Sequence, residues 1–276
     1  MNPIGSYETI IDVAQPNILQ GDANSQTTTN MLKMNPMQGT NPNVRAEGMA
    51  LGYFSLLNRS GGAASVGIGV RIPNHLWSAG QWVDATTTYT DDTTDAQDAG
   101  AGDFALETTT NSDGYLIASR VPFNAVLIDV TTASVDAVSV ARSARYSDAA
   151  GTAWVTLTTV VLTGAAANYA TATETVLAFD PPSDWGVHVS GLGTNTPVGQ
   201  YLVNVRATDA PGTTAGLAGT LSLYRIYFIE SIANNVTKEI NFSPSEAWMP
   251  HGDGLIAFFS TANAANKVTA LVRPRS

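Results

Sequence analysis

The chain has 276 residues and a formal net charge of −10, from 13 basic and 23 acidic side chains, and it contains no cysteine. The hydrophobic share of 44% predicts a folded protein, whereas the charged share of 13% is about half of the usual value. Without cysteine, disulfides, iron–sulfur clusters and thiolate chemistry are excluded. Nucleic-acid binding normally uses a basic stripe, and the few lysines here are scattered, so we expect no nucleic-acid partner.

The start of the chain and its apolar runs indicate where the protein is made. Residues 1–5 carry no basic charge, and no stretch approaches the roughly 18 apolar residues of a membrane span. The sequence therefore predicts no signal peptide and no membrane partner, with synthesis in the cytoplasm unless a dedicated exporter handles the chain.

Residues 1–50 differ from the rest of the chain because Asn, Gln, Thr, Pro and Met dominate them. Prolines at 3, 16, 36 and 42 disfavour both helices and central strands. We predict an extended N-terminal arm with short strand fragments such as Glu8–Val13, and a disordered tail is the alternative. Its methionines and Ile18–Leu19 favour an arm that lies on the body or on a neighbouring molecule.

Residues 51–276 form the predicted body, in which short apolar or alternating runs recur between turn residues. Such runs indicate strands, and no capped amphipathic helix of about 12 residues interrupts them. The pattern predicts an all-β fold with a β-sandwich or jelly-roll body. The predicted strands are 67–72, 115–118, 125–130, 135–146, 154–157, 160–162, 175–179, 200–207, 220–229, 238–242, 254–259 and 267–272.

A more specific pattern lies between residues 82 and 210. Its elements in chain order are Trp154 within GTAWVTL, Val176–Phe179, Pro181–Trp185, Gly191, Gly193 and Tyr201–Ala207. This stretch resembles a β-sandwich module found in structural proteins of tailed bacteriophages. It departs from the usual module at 202–204, where an aromatic residue is typical, and at 145–148, where the common hairpin is replaced.

The resemblance implies a virion component, most like a capsid decoration (cement) protein. In that reading, residues 82–210 form the virion-type module, residues 211–276 add the completing strands, and the arm bridges to neighbours. The expected partners are the major capsid protein and neighbouring copies of the chain, with a trimer favoured, on the capsid surface of the virion. A tail, baseplate or fibre component is the alternative within the same class of particle.

The residues that usually carry chemistry are not arranged for it. His75, His188 and His251 are far apart and lack metal-ligand spacing. No nucleophile elbow or P-loop occurs, and Gly67–Gly69 lacks the third glycine of a dinucleotide site. We therefore predict no catalytic, cofactor-binding or metal-binding residue, and a structural role for His188.

One acidic run deserves comparison with a calcium loop. Residues 91–103, here named the acidic segment, carry five aspartates and no basic residue: Asp91, Asp92, Asp95, Asp98 and Asp103. Closely spaced oxygen ligands suit Ca²⁺, but the order of an EF-hand and its final glutamate are missing. The spacing favours a solvated loop. Sequons at Asn58, Asn235 and Asn241 have no expected role without export.

Aromatic and arginine side chains leave one further alternative open. Trp154 and Trp185 are expected to pack at strand ends, and Arg206 is expected to pair with Asp180 or Asp184. A carbohydrate-binding adhesive module would instead need exposed tryptophans on one side, with Trp77, Trp82 and Trp248 as the candidates. A glycan-cleaving enzyme would need a carboxylate pair in a cleft, which the sequence does not locate.

Overall fold

The computed structural model describes residues 18–22, 31–34, 48–108, 113–135, 142–157, 160–163, 169–172, 174–207, 214–242, 248–250, 255–259 and 267–275. These residues form antiparallel sheets with very little helix, which confirms the predicted all-β class and its sandwich character. The chain divides into two compact units. Unit 1 contains residues 1–71 and 226–276, and unit 2 contains residues 72–225.

The described strands follow in chain order. They are β1 Ile18–Asp22, β2 Met31–Met34, β3 Gly48–Asn58, β4 Ala64–Arg71, β5 Trp77–Val83, β6 Thr88–Asp91, β7 Phe104–Ala105, β8 Gly114–Ser119, β9 Ala125–Thr132, β10 Arg142–Ser147, β11 Trp154–Thr156, β12 Val160–Thr163, β13 Glu174–Phe179, β14 Tyr201–Ala207, β15 Leu217–Ile232, β16 Val236–Asn241, β17 Trp248–Pro250, β18 Leu255–Phe259 and β19 Lys267–Arg275. A 3-10 helix covers Asn74–Leu76, and one short helix, α1, covers Thr93–Gln97.

Unit 2 is a sandwich of two sheets. One sheet has the strand order β11-β10-β14-β8-β5-β6, and the other contains β12, β13, β9 and the first part of β15 in that order, with β7 also paired to β15. Alternate residues of each sheet point inward, as the period of two of a strand requires. The two inner faces meet in one apolar core, to which Ile117, Val203, Ile128, Leu177 and Leu221 contribute.

Unit 1 is also built from antiparallel strands. Its strands pair in the order β1-β19-β3-β16, with β17 also paired to β3, and β18 pairs with both β4 and β2. Phe54 and Leu56 of β3 are fully buried, and the ring of Phe54 meets Phe242 edge-on at 5.7 Å between centroids. This aromatic pair anchors β3 within the described part of the unit.

The predicted strands agree well with described strands, whereas β3, β5, β6, β7, β17 and the short helix α1 were not predicted. β5 and β6 form a hairpin inside a span that the sequence analysis left without strands, because its Thr and Asp residues obscure the alternation. Residues 93–97 form α1 within the predicted loop, where Ala96 is buried. Of the predicted arm, β1, β2 and residues from 48 onward are described; Glu8–Val13 lies outside the described residues.

Candidate interaction site

The outer face of the six-stranded sheet carries the most structured polar group of unit 2. Cross-strand pairing places Ser143 beside Arg206, and Arg145 beside Asn204, on neighbouring strands β10 and β14. Gly114 of β8 lies between Arg206 and Trp82 in the same row. We name the resulting cluster the Arg–Trp face. Its members are Trp82, Asp84, Arg145, Trp154, Asn204 and Arg206.

Asp84 is the centre of the Arg–Trp face because one carboxylate is shared between two arginines. Arg145 Nη2 donates to Asp84 Oδ1 at 2.6 Å, and Arg206 Nη1 donates to Asp84 Oδ2 at 3.2 Å. The indole N–H of Trp82 adds a third bond to Oδ1 at 3.1 Å. Burial alone would raise the pKa of the Asp84 carboxyl, but these three donors outweigh it and hold that pKa below its usual value.

Arg145 is fixed by aromatic rings as well as by hydrogen bonds. Its guanidinium carbon lies 5.4 Å from the Trp82 ring centroid and 4.9 Å from that of Trp154. Its Nε donates to Asn204 Oδ1 at 2.8 Å, and Asn204 in turn donates to the Tyr115 carbonyl. Burial lowers the pKa of the Arg145 guanidinium, an effect that Asp84 partly offsets. Cation–π contacts and hydrogen bonds together leave this arginine little rotamer freedom.

Arg206 is the more exposed arginine, with 31% of its side chain accessible. Its Nε donates to Ser143 Oγ at 3.3 Å and its Nη1 to Asp84, so its second terminal nitrogen has no partner among the described residues. Asp113 lies beside the cluster and its Oδ1 accepts from the Asp84 backbone N–H at 2.9 Å, so the two arginines face two aspartates and the formal charges balance.

A loop covers the other part of the same outer face. We name residues 186–200 the valine loop, and its Leu192 packs with Trp82, Leu116 and Leu202. Gly193 has φ +138°, and a Cβ there would meet the Thr87 carbonyl at 2.5 Å and the Trp82 ring at 2.6 Å. A glycine is therefore needed where the loop lies against Trp82.

Backbone hydrogen bonds hold the valine loop in one conformation. Thr194 exchanges bonds with Thr87 and Tyr89, and Val189 donates to the Gly151 carbonyl at 2.9 Å. His188, with 2% exposure, pairs its backbone with residues 199 and 200, while its Nδ1 lies 2.8 Å from the Pro197 carbonyl oxygen. Three valines of this loop, Val187, Val189 and Val198, are 39%, 56% and 66% exposed.

A second charged cluster lies inside the sandwich. Arg142 forms a salt bridge with Glu107, and both side chains are almost fully buried. The Arg142 guanidinium carbon lies 4.3 Å from the Tyr169 ring centroid, and the Tyr169 and Tyr115 hydroxyls are 3.0 Å apart. Burial raises the pKa of both phenols, so each stays neutral. The cluster is sealed from solvent, which suits a structural role.

The predicted site residues are placed as follows. Arg206 pairs with Asp84, so its expected pairing with Asp180 or Asp184 is wrong; Asp184 accepts a hydrogen bond from the Tyr146 hydroxyl. Trp185 packs edge-on against Phe123, Phe179 and Tyr201, as expected. Trp154 is half-buried and lies at the start of β11.

Other candidates are separated or buried. Trp77 and Trp82 are buried, and the side chain of Trp248 lies outside the described residues, as does His251. Asn58 is also buried, with its amide bonded to the Gly62 and Ile232 carbonyls, so this sequon is inaccessible. Within the described ranges, no three His, Asp or Glu side chains are placed to hold a metal ion, the acidic segment included.

The sequence analysis missed the Arg–Trp face. Asp84 is 61 residues from Arg145 and 122 from Arg206, so no local motif connects them. The nearest signal was Arg206 itself, a charged residue alternating with apolar ones in a predicted strand. Its position on the outer face followed from the alternation, but its partner did not.

Fold and site together define an antiparallel β-sandwich protein with an arginine–tryptophan cluster and an exposed valine loop on one sheet. No family model, no curated protein and no solved structure matches the chain. The resemblance of residues 82–210 to phage structural proteins stays a sequence-based prediction. None of the described helices is both long and apolar enough to traverse a bilayer.

Proposed function

We propose that this chain is a structural virion protein that decorates and stabilises a capsid by docking on the lattice of the major capsid protein, without catalysis. The observation that carries the proposal is the valine loop. Three exposed valines project from a loop whose backbone is held by hydrogen bonds to residues 87, 89 and 151. Exposed apolar side chains on a loop that is already held in place can bind a protein partner at a low entropic cost.

Two further features support docking within a particle. The valine loop and the whole Arg–Trp face lie inside residues 82–210, the region that resembles the phage module. The low charged share and the abundant Thr, Ser and Asn provide an uncharged polar surface that suits close packing of many copies. Repetition on a lattice would turn a small contact into stable attachment through avidity.

The alternatives differ in how well these features support them. A tail, baseplate or fibre component would use the same valine loop and differs only in copy number. A carbohydrate-binding adhesive module is less well supported, because Trp77 and Trp82 are buried and cannot form the stacking platform that it needs.

Copy number in purified particles tests the proposal. If the chain decorates a capsid, quantitative mass spectrometry should find hundreds of copies per particle, because a symmetric lattice offers many equivalent positions. A handful of copies would assign the chain to the tail, and its absence from particles would refute the proposal.

A variant tests whether the valine loop makes the contact. Val189→Ser with Val198→Ser removes the two most exposed valines and should lower binding to undecorated particles at least tenfold, measured by co-sedimentation. Val236→Ser, a change of the same type at an exposed valine of unit 1, is the matched control. Equal binding by both variants would exclude the valine loop as the docking surface.

A further inference from the structure

The valine loop begins and ends beside two aromatic residues that keep its ends together. Trp185 and Tyr201 flank residues 186–200, and their rings meet edge-on with 5.4 Å between centroids. The Trp185 indole N–H also donates to the Leu202 carbonyl at 3.2 Å. Compact surface loops of up to about 16 residues with adjacent ends are a recurrent motif. Because both ends are pinned at one place, the residues between them can move as one body.

Hydrogen bonds within the valine loop preserve its shape. The His188 backbone N–H donates to the Gln200 carbonyl, and the Gly199 N–H donates back to the His188 carbonyl, both at 2.8 Å. The His188 Nδ1 lies 2.8 Å from the Pro197 carbonyl oxygen, which only accepts, so Nδ1 carries the proton. None of these bonds involves the sheet, so all of them can persist when the loop moves.

The first anchor of the valine loop is the turn that joins β10 to β11. The Gly151 carbonyl of this turn accepts from the Val189 N–H at 2.9 Å. Asp148 shapes the turn, since its Oδ1 accepts from the backbone N–H groups of Thr152 at 2.7 Å and Ala153 at 3.0 Å. The bonds from Ala153 and Thr152 hold the pKa of the Asp148 carboxyl below its usual value. This carboxylate therefore positions the carbonyl to which the loop binds.

The second anchor of the valine loop lies at the β5–β6 hairpin. Thr194 donates to the Thr87 carbonyl at 2.8 Å and accepts from the Tyr89 N–H at 3.0 Å. Leu192 is buried and packs against Trp82. A few backbone bonds and one buried leucine hold the loop down, so lifting it breaks far less structure than unfolding the sandwich.

Two buried polar atoms destabilise the position in which both anchors are made, here named the closed position. Thr196 Oγ1 and His188 Nε2 are inaccessible to solvent and have no hydrogen-bond partner among the described residues. A buried polar atom without a partner has lost its hydrogen bonds to water and gained none in return. A position in which water reaches these atoms removes that loss.

We infer that the valine loop is a hinged cover, which exchanges between the closed position and a minor open position with both anchors released together. Opening gives water access to Thr196 and His188 and uncovers the Trp82 ring. The exposed valines keep their described arrangement only in the closed position, so docking on a partner selects that position. The exchange itself is independent of the proposed function, whereas its control of docking rests on that function.

Amide hydrogen exchange of the free full chain, followed by NMR, tests the opening. The amides of Val189, Thr194 and Tyr89 each donate across an anchor. We expect them to share one protection factor, about 100-fold below that of the amides of the central strand β14. Protection equal to that of β14 would mean that the loop opens only when the sandwich unfolds, and would overturn the inference.

Two variants should change the opening in opposite directions. Asp148→Ala removes the acceptor that shapes the β10–β11 turn and should raise the opening equilibrium constant about tenfold. Thr196→Val replaces the unpaired hydroxyl by a methyl group of similar size and should lower the same constant about tenfold. If both variants raised the constant, or if neither changed it, the inference would be overturned.

Matched controls separate the anchor from a general effect of removing a carboxylate. Asp148→Asn keeps an oxygen that accepts the same two bonds and should restore opening close to that of the wild type. Asp98→Ala removes another carboxylate that accepts from a turn N–H, that of Gly100, away from both anchors. It should leave the exchange of Val189 unchanged, and an increase equal to that of Asp148→Ala would overturn the inference. Unchanged protection in β14 shows that each variant is folded.

Exchange in the particle-bound chain separates the inference from the proposed function. If docking selects the closed position, the peptide that contains Val189 and Thr194 should exchange at least about tenfold more slowly on particles than in the free chain, measured by mass spectrometry. Fast exchange in the free chain that binding leaves unchanged would keep the opening and refute docking through the valine loop. Free-chain exchange no faster than that of β14 would overturn the hinged cover, whether or not the chain joins particles.

Discussion

The two charged clusters of unit 2 use the same residue types in different surroundings. The internal cluster pairs one Glu107 with one Arg142, seals both from solvent and is capped by two neutral tyrosines. The Arg–Trp face shares one Asp84 between two arginines and leaves Arg206 partly exposed. Charge balance and burial suit the first cluster to hold the core together. The partial exposure of the second keeps its charges in contact with water.

The largest expected effect comes from unbalancing the internal cluster. Glu107→Gln or Arg142→Met alone should lower the free energy of unfolding by about 3–5 kcal/mol, because the remaining charge is buried without its partner. The double variant should lose less than the sum of the two single variants. Urea denaturation measures all three, and additive losses would show that the pair is not coupled.

A smaller loss is expected at the centre of the Arg–Trp face. Asp84→Ala should cost about 2 kcal/mol, because the two arginines lose their shared carboxylate but remain accessible to water. The same urea experiment measures it. A loss as large as that of Glu107→Gln would show that Asp84 contributes as much to the free energy of unfolding as the buried salt bridge does.

Acid should affect the Arg–Trp face through Asp84. The folded pKa of Asp84 lies below its ordinary value, so its stabilising effect is present above the ordinary carboxyl pKa of about 4 and is lost as the pH falls through the lower folded value. The stability advantage of the wild type over Asp84→Asn should therefore shrink in that acid range. Denaturation at several pH values measures it.

Asp92 provides the control for the acid experiment because its pKa is shifted in the other direction. Its folded pKa is raised, so its ionised form costs stability above that pKa. Asp92→Asn should be slightly more stable than the wild type at neutral pH, and the difference should vanish in acid. If the stability differences of Asp84→Asn and Asp92→Asn changed with pH in the same direction, the opposite pKa shifts of Asp84 and Asp92 would be contradicted.

The smallest expected effect on stability is that of Arg206→Gln. The side chain is partly exposed, and Arg145 still pairs with Asp84, so the loss should be about 0.5 kcal/mol. Urea denaturation measures this loss. A loss as large as that of Asp84→Ala would show that Arg206 contributes more to stability than its exposure suggests.

Much of the fold could be predicted from local pattern. β8, β9, β13 and β14 lie where apolar residues recur between turn residues, because burial of a strand face repeats every two residues. The β5–β6 hairpin could not be predicted in this way, since its threonines and aspartates conceal the buried Trp82 and Tyr89. Those side chains are buried because the valine loop covers the outer face of their sheet.

By itself, the sequence determined the all-β class, the absence of thiol chemistry and the positions of most strands, since each depends on composition or on neighbours in the chain. Only the tertiary structure decided that Arg206 pairs with Asp84, and that Arg142 is sealed inside with Glu107 while Arg145 stacks on two tryptophans. These partners depend on the order of strands in a sheet. Hydrogen bonds between residues far apart in the sequence set that order, and the local alternation of side chains does not reveal it.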